Sequence, residues 1–184
     1  MVRCAALEAS IGGALTLEQI INFLLGAQMF GDLSAAELSQ IVHILQIRFV
    51  REGQVVFREG QPGDAWYVVF QGGVEVFTEA EDGSERVYDN LGPGSCFGEM
   101  AILDGSSRSA SVRAVEPSTL FRFPRVDFNK LLESDNLAAY KLVYHMALLL
   151  VRRQRQSNTR LVEALRHRDD DEEDEESLED PDTE

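Results

Sequence analysis

Residues 97–112 read FGEMAILDGSSRSASV and place a Gly–Glu pair, a short apolar turn, a small polar loop and one arginine among tiny residues within a single stretch. The first N–H groups of a helical turn lack intrahelical partners, and the helix dipole there favours negative charge, so such a turn suits anionic oxygens. Gly98 permits close backbone approach. Arg108 supplies a planar fork of donors suited to two phosphate oxygens. Glu99 is acceptor-only when ionised, so beside a phosphate it calls for a hydroxyl donor. A sugar hydroxyl next to a phosphate satisfies both residues, which points to a small ribose phosphate.

Outward from this stretch, the chain changes period twice. Thr16 with Gln19 and Ser34 with Glu37 form two capping boxes, each opening a short amphipathic helix, the second burying Leu38, Ile41, Val42 and Leu45. From Ile47 the apolar period is two. Predicted strands cover 47–51, 54–58, 65–71, 73–79, 85–91, 109–115 and 118–123, separated by turns such as Gly60-Gln61-Pro62-Gly63 and Asp82-Gly83. Short strands at near-regular spacing argue for an antiparallel barrel or roll. Residues 98–103 interrupt them as one helical turn.

After Pro124 the helical period returns, over about 126–132 and then 136–166. Along the second helix Leu137, Tyr144, Val151, Asn158 and Leu165 recur every seven residues, with Tyr140, Ala147 and Leu161 in the companion positions and Gln154 interrupting them. A heptad seam with one asparagine is a device for fixing register in a two-stranded assembly, so a parallel homodimer through this helix is expected. The other use of the same stripe is packing on the chain's own roll.

The net charge of −15 is concentrated at one end. Asp169–Glu184 holds twelve acids and no base, leaving 20 acids against 17 bases elsewhere. Residues 169–184 are therefore expected to be a disordered acidic tail, either solvating, folded back on the arginines before it, or recruiting a basic partner. Residues 1–15 read as a flexible leader, and 16–168 as one domain. A content of 44% hydrophobic and 27% charged residues fits a soluble globular chain. Cys4 and Cys96 are too few for a disulfide framework, a zinc site or an iron–sulfur cluster. With no signal-peptide layout and no membrane-length apolar run, a cytoplasmic location is expected. Trp66, His43 and His145 read as packing residues, and metal binding is not expected.

The stretch at 97–112 resembles the phosphate-binding cassette of the cyclic nucleotide-binding domain family, which includes the catabolite activator protein and the regulatory subunits of cAMP-dependent protein kinase. The matching residues are Phe97-Gly98-Glu99-Met100-Ala101-Ile102 and Arg108-Ser109-Ala110-Ser111-Val112. Gly53, Phe57, Gly60, Gly63-Asp64, the 66–70 run, Gly72, Gly92 and Gly94 fall where that family places strands and turns. The resemblance covers about residues 16–165. It departs at Ser107, where many members have proline.

What the resemblance implies is a mainly β fold with flanking helices: an eight-stranded antiparallel, jelly-roll-like β-roll, N-terminal helices, the inserted cassette and a long C-terminal helix. It further implies that Glu99 takes the ribose 2′-hydroxyl and Arg108 the exocyclic phosphate oxygens. Backbone N–H groups near Gly98, Met100, Ala101 and Ala110 complete the cradle, and Ser109 donates to phosphate or base. Val76, Tyr88 and Leu91 align with positions lining the base pocket, and Asp64 with an aspartate supporting the phosphate arginine. Members selective for cGMP often carry threonine where this chain has Ser109, which leans the expectation toward cAMP. A cap over the base is expected from Leu149–Gln156, with Arg153 and Gln154 foremost.

The expected function is a stand-alone cAMP or cGMP sensor that repositions its C-terminal helices toward a protein partner. No catalysis, cofactor, DNA or membrane partner is expected: Glu99 is the one plausible general base near the phosphate, and it has no partner acid or metal. Two alternatives use the same fold. One is a ligand-free dimerisation or scaffold module. The other is a catabolite-activator-type DNA regulator, which requires a basic recognition helix beyond the long helix.

Overall fold

The computed structural model describes residues 15–176; the leader at 1–14 and the tail at 177–184 lie outside the described residues. Two compact units are present, divided after Met146. In the first, helix α1 (Leu17–Gly26), a 3-10 turn (Gln28–Phe30) and helix α2 (Ala35–Val42) precede the strands. Both predicted capping boxes form. Thr16 Oγ1 accepts from the Gln19 N–H at 3.2 Å, and the Thr16 N–H donates to Gln19 Oε1 at 2.9 Å. Ser34 and Glu37 repeat the exchange at 3.3 and 2.9 Å.

Eight strands follow: β1 (Gln46–Val50), β2 (Val55–Phe57), β3 (Ala65–Gln71), β4 (Val74–Glu79), β5 (Glu85–Leu91), β6 (Cys96–Phe97), β7 (Ser111–Ala114) and β8 (Ser118–Pro124). They form two antiparallel sheets, ordered β1-β8-β3-β6 and β2-β7-β4-β5. This is the expected eight-stranded β-roll. Helix α3 (Met100–Leu103) interrupts the strands between β6 and β7, and α4 (Arg125–Glu133) follows β8 directly. The predicted strands agree to within a few residues, except that β6 was not expected. A two-residue strand is too short to show alternation. Strand β7 also begins two residues late, because Ser109 and Ala110 form a bend.

Strand β3 explains its own unbroken apolar run by being covered on both faces. Ala65, Tyr67 and Val69 enter the cluster between the sheets with Val50, Phe57, Val74, Phe97, Val112 and Leu120. Trp66 lies on the other face, stacked on Phe123 at 4.0 Å between centroids and edge-on to Phe128 of α4. It is buried, as expected. His43 is not packed: α2 ends at Val42, which leaves His43 exposed at the C-cap. His145 is largely covered and faces Asp32, with Nε2 and Oδ2 3.4 Å apart.

Helix α5 spans Leu137–Glu176. Its first turns are held by α2 and the residues before it: Asn136 Nδ2 donates to Gln40 Oε1 at 2.7 Å, and Lys141 Nζ to Glu37 Oε1 at 2.5 Å. From Ala147 onward α5 belongs to the second unit. There Val151, Asn158, Leu161 and Leu165 are exposed, and Gln154 Nε2 donates to Asn158 Oδ1 at 2.9 Å. The helix runs about ten residues past its predicted end, so 169–176 are helical where charge repulsion predicted disorder. Extending an existing helix is far easier than starting one, and Arg and Glu are good helix formers. Among the described residues no helix is long and apolar enough to cross a membrane.

The Lys141 contact makes a pH prediction. Its hydrogen bond, with those from Ser34, lowers the Glu37 carboxyl from 4.5 to about 2. A carboxyl depressed in the folded state stabilises above its unfolded pKa, and that stability is lost as pH falls through the folded value. The loss for Glu37 therefore falls between about pH 4.5 and 2. Urea unfolding of Lys141→Ala is expected to show lower stability at pH 7 and a smaller decline than wild type across that window.

Candidate functional site

Arg108 is fixed at both ends. Its backbone N–H donates to Gln61 O at 2.8 Å, and its carbonyl accepts from the Gly60 N–H at 2.9 Å, an antiparallel pairing that continues at Pro62 and Ser107. The side chain is 1% exposed. Its Nη1 donates to Gly98 O at 2.8 Å, while Nη2 donates to Ala65 O at 2.6 Å and Asp64 Oδ1 at 3.1 Å. The guanidinium also lies 4.0 Å over the Phe57 ring. Nε is buried without a hydrogen-bond partner. Protein acceptors thus engage both terminal nitrogens, while the buried Nε makes no hydrogen bond.

Electrostatics follow this geometry. Burial is the main cause lowering the Arg108 pKa, opposed by Tyr67 and Asp64; a guanidinium nonetheless stays protonated in proteins. Partial burial would raise Asp64, but the hydrogen bond and charge of Arg122, with the charge of Arg108, outweigh it and hold the carboxyl below its ordinary value. Arg122 Nη2 meets Asp64 Oδ2 at 2.7 Å, and Nη1 meets Gln46 Oε1 at 2.8 Å. Asp64 therefore bridges two arginines. Its support of Arg108 was expected; the part of Arg122 was missed. The available signal was a lone charge at alternate position in the otherwise buried strand β8.

The cassette closes round this arginine. Gly98 has φ +75°, and a Cβ there would sit 2.7 Å from Arg108 Nη1 and 3.3 Å from the Phe57 ring. Only glycine meets both conditions. Glu99 is 1% exposed and precedes α3, its carbonyl accepting from the Ile102 and Leu103 N–H groups. Ala101 is buried against Gly63, where a Cβ would come within 2.5 Å of its own. Met100 and Ser109 are exposed and in contact, Oγ to Sδ at 3.7 Å, and Ala110 is half-buried. Gly98, Glu99, Met100, Ala101, Arg108, Ser109 and Ala110 are therefore gathered in one corner of the first unit.

The other expected residues stand on the second sheet. Val76 and Leu91 face the inner cluster. Strict alternation would turn Tyr88, three residues from Leu91, to the opposite face. The β4–β5 register shifts between Val76, paired with Asp89, and Phe77, paired with Val87. That bulge makes Tyr88 the extra residue, and its hydroxyl meets Thr78 Oγ1 at 2.9 Å. Arg153 and Gln154 lie in the second unit, on α5. Among the described residues, no group of three or more His, Cys, Asp or Glu side chains could hold a metal ion.

The first unit is thus a two-sheet roll interrupted by a glycine-led turn that closes on a buried arginine. Residues 47–135 match the cyclic nucleotide-binding domain family, and the chain belongs to that family, related to the catabolite activator protein and to regulatory subunits of cAMP-dependent protein kinase. It is 37% identical over 136 residues to the Cyclic AMP receptor protein of Thermus thermophilus, covering 74% of this chain and 61% of that one. The crystal structure of Thermus thermophilus Catabolite Activator Protein superposes with a TM-score of 0.65 at 34% identity, over 73% of this chain and 62% of that one. The regulatory domain of Toxoplasma gondii PKA, crystallised with cAMP, gives 0.58 at 28% identity, over 65% and 45%. The chain spans 30%, 61% and 22% of the length of three curated relatives it matches.

Gly98→Ala should force the guanidinium and Phe57 apart and strain the backbone at positive φ. Urea denaturation is expected to show a loss above about 1 kcal/mol, with the folded circular dichroism spectrum retained.

Proposed function

We propose that the first unit binds a 3′,5′-cyclic purine mononucleotide, cAMP or cGMP, and acts as a regulatory sensor and not as an enzyme. The observation that carries this is the buried Arg108 Nε–H, lacking a partner in the corner that also buries the Glu99 carboxylate. An unmatched buried donor on a cation costs free energy, and an equatorial phosphate oxygen supplies the acceptor. Glu99 takes the ribose 2′-hydroxyl, the N–H groups of the Gly98–Ala101 turn and Ala110 support the phosphate, and Ser109 donates to phosphate or base. Val76, Tyr88 and Leu91 line the base. Two relatives bear names that mention cAMP, which supports the ligand class.

The output is conformational: α3 moves against α4 and α5, and α5 pairs with a second copy along its seam. Leu137, Tyr140 and Tyr144 in the first unit, and Val151, Leu161 and Leu165 in the second, are exposed on that helix. The recipient of the signal is a protein, and the compartment is the cytoplasm. The ligand-free scaffold reading draws on one observation, the protein acceptors already engaging both terminal nitrogens of Arg108.

Calorimetry and thermal shift separate the two. Binding of cAMP or cGMP at about 100 times its dissociation constant is expected to add about 2.7 kcal/mol of stability. Arg108→Lys and Glu99→Gln are each expected to weaken binding at least tenfold while keeping the folded spectrum. No heat and no shift with either nucleotide would leave the scaffold reading standing.

A further inference from the structure

The inner face of the second sheet carries a carboxylate that the sequence pattern does not mark. In the β4–β5 register Val74 pairs with Leu91 and Val76 with Asp89. Directly paired residues share a face of an antiparallel sheet. Val74 and Leu91 belong to the cluster between the sheets, and Val76 packs against it, so Asp89 stands on that inner face beside the wall assigned to the base. The outer face is marked separately by Arg113, which pairs with Glu75 and lies over the Phe77 ring. Asp89 is exposed, and its Oδ1 accepts from the Asn90 N–H at 3.0 Å. A carboxylate has about four acceptor positions, so this bond leaves capacity for a ligand donor.

Position then restricts which edge of a base reaches it. Strand β4 separates β7 from β5, which puts those two strands about 10 Å apart. Arg108, Ser109 and Ala110 lead into β7, on the far side of Val76 from Asp89. A purine lying over Val76, with its sugar phosphate at the cassette, turns one edge toward Ser109 and the other toward β5. We propose that Asp89 selects the purine. It accepts a hydrogen bond from the 6-amino group of adenine on the edge facing β5 and repels the 6-oxo acceptor that guanine presents in the same place, N7 being an acceptor in both bases. The site is therefore adenine-selective. This rests on the reading above that Val76, Tyr88 and Leu91 line the base.

The test is calorimetry on the full chain with cAMP, cGMP and cyclic inosine monophosphate, for wild type, Asp89→Ala and Asp89→Asn. Inosine shares guanine's 6-oxo group and lacks its 2-amino group, so it isolates the C6 edge. Wild type is expected to bind cAMP at least tenfold more tightly than either oxo-purine. In both variants that ratio is expected to fall below threefold, with cAMP still bound and the melting temperature unchanged in the absence of nucleotide. A wild-type preference for cGMP, or a ratio unaltered in both variants, overturns the role of Asp89 while leaving nucleotide binding intact. Binding of none of the three to wild type overturns the nucleotide reading, and the selectivity with it.

Discussion

The buried guanidinium of Arg108 joins three segments of the first unit that sequence order keeps apart. It reaches the carbonyl of Gly98 at the start of the cassette, the carbonyl of Ala65 at the start of β3, the Asp64 carboxylate before that strand and the face of Phe57 in β2. Burying a charge is expensive unless it is paired and hydrogen-bonded. Here two main-chain carbonyls and one carboxylate meet that demand, so the cassette's path is set by where the guanidinium's donors point. Shortening the side chain would remove its charge from the corner and leave buried carbonyls without donors. A conservative replacement with a spectroscopic check therefore separates folding from any other effect of this residue better than truncation.

Asp64 makes this arrangement asymmetric. One carboxylate oxygen serves Arg108 and the other Arg122, whose second terminal nitrogen is held by Gln46 in β1. The aspartate is 62% exposed while the Arg108 side chain it supports is almost wholly covered. Solvent screening limits what the exposed carboxylate adds in Coulombic terms. Its larger effect is directional, since it occupies one Nη2 donor and leaves the other for Ala65 O. The two carbonyls are enclosed by protein and supply the less screened part of the interaction.

The sequence made these features unequally visible. Thr16/Gln19 and Ser34/Glu37 announced their helices because capping boxes are local chemistry. The strands were legible from alternation and turn residues, and Arg108, Glu99 and Asp64 from motif resemblance. Contacts set by register were not legible. A bulge adds one residue to β5 at Tyr88, and no residue type in that strand marks the shift. Arg122 meets Asp64 across 58 residues of chain. The end of α5 was misplaced because charge repulsion was weighed without the ease of propagating a helix already formed. His43 was misread because an apolar neighbourhood on a helical wheel does not locate the residue at which the helix stops.

The support for Arg108 also bears on how occupancy could reach the helices. The residue whose side chain holds Nη2, Asp64, offers its carbonyl to the Arg125 N–H at 2.8 Å, fixing the start of α4. Its neighbour Gly63 meets Ala101 of α3 closely enough that no side chain fits between them, and its carbonyl faces Arg125 Nη1 at 3.4 Å. The loop at 63–64 thus touches Arg108, the cassette turn and the first residue of the helix that follows the roll. Ala101 of α3 fills the space where a side chain at position 63 would stand, so a movement of α3 bears first on the 63–64 loop. A ligand shifts such an arrangement only to the extent that it binds two conformations with different affinity.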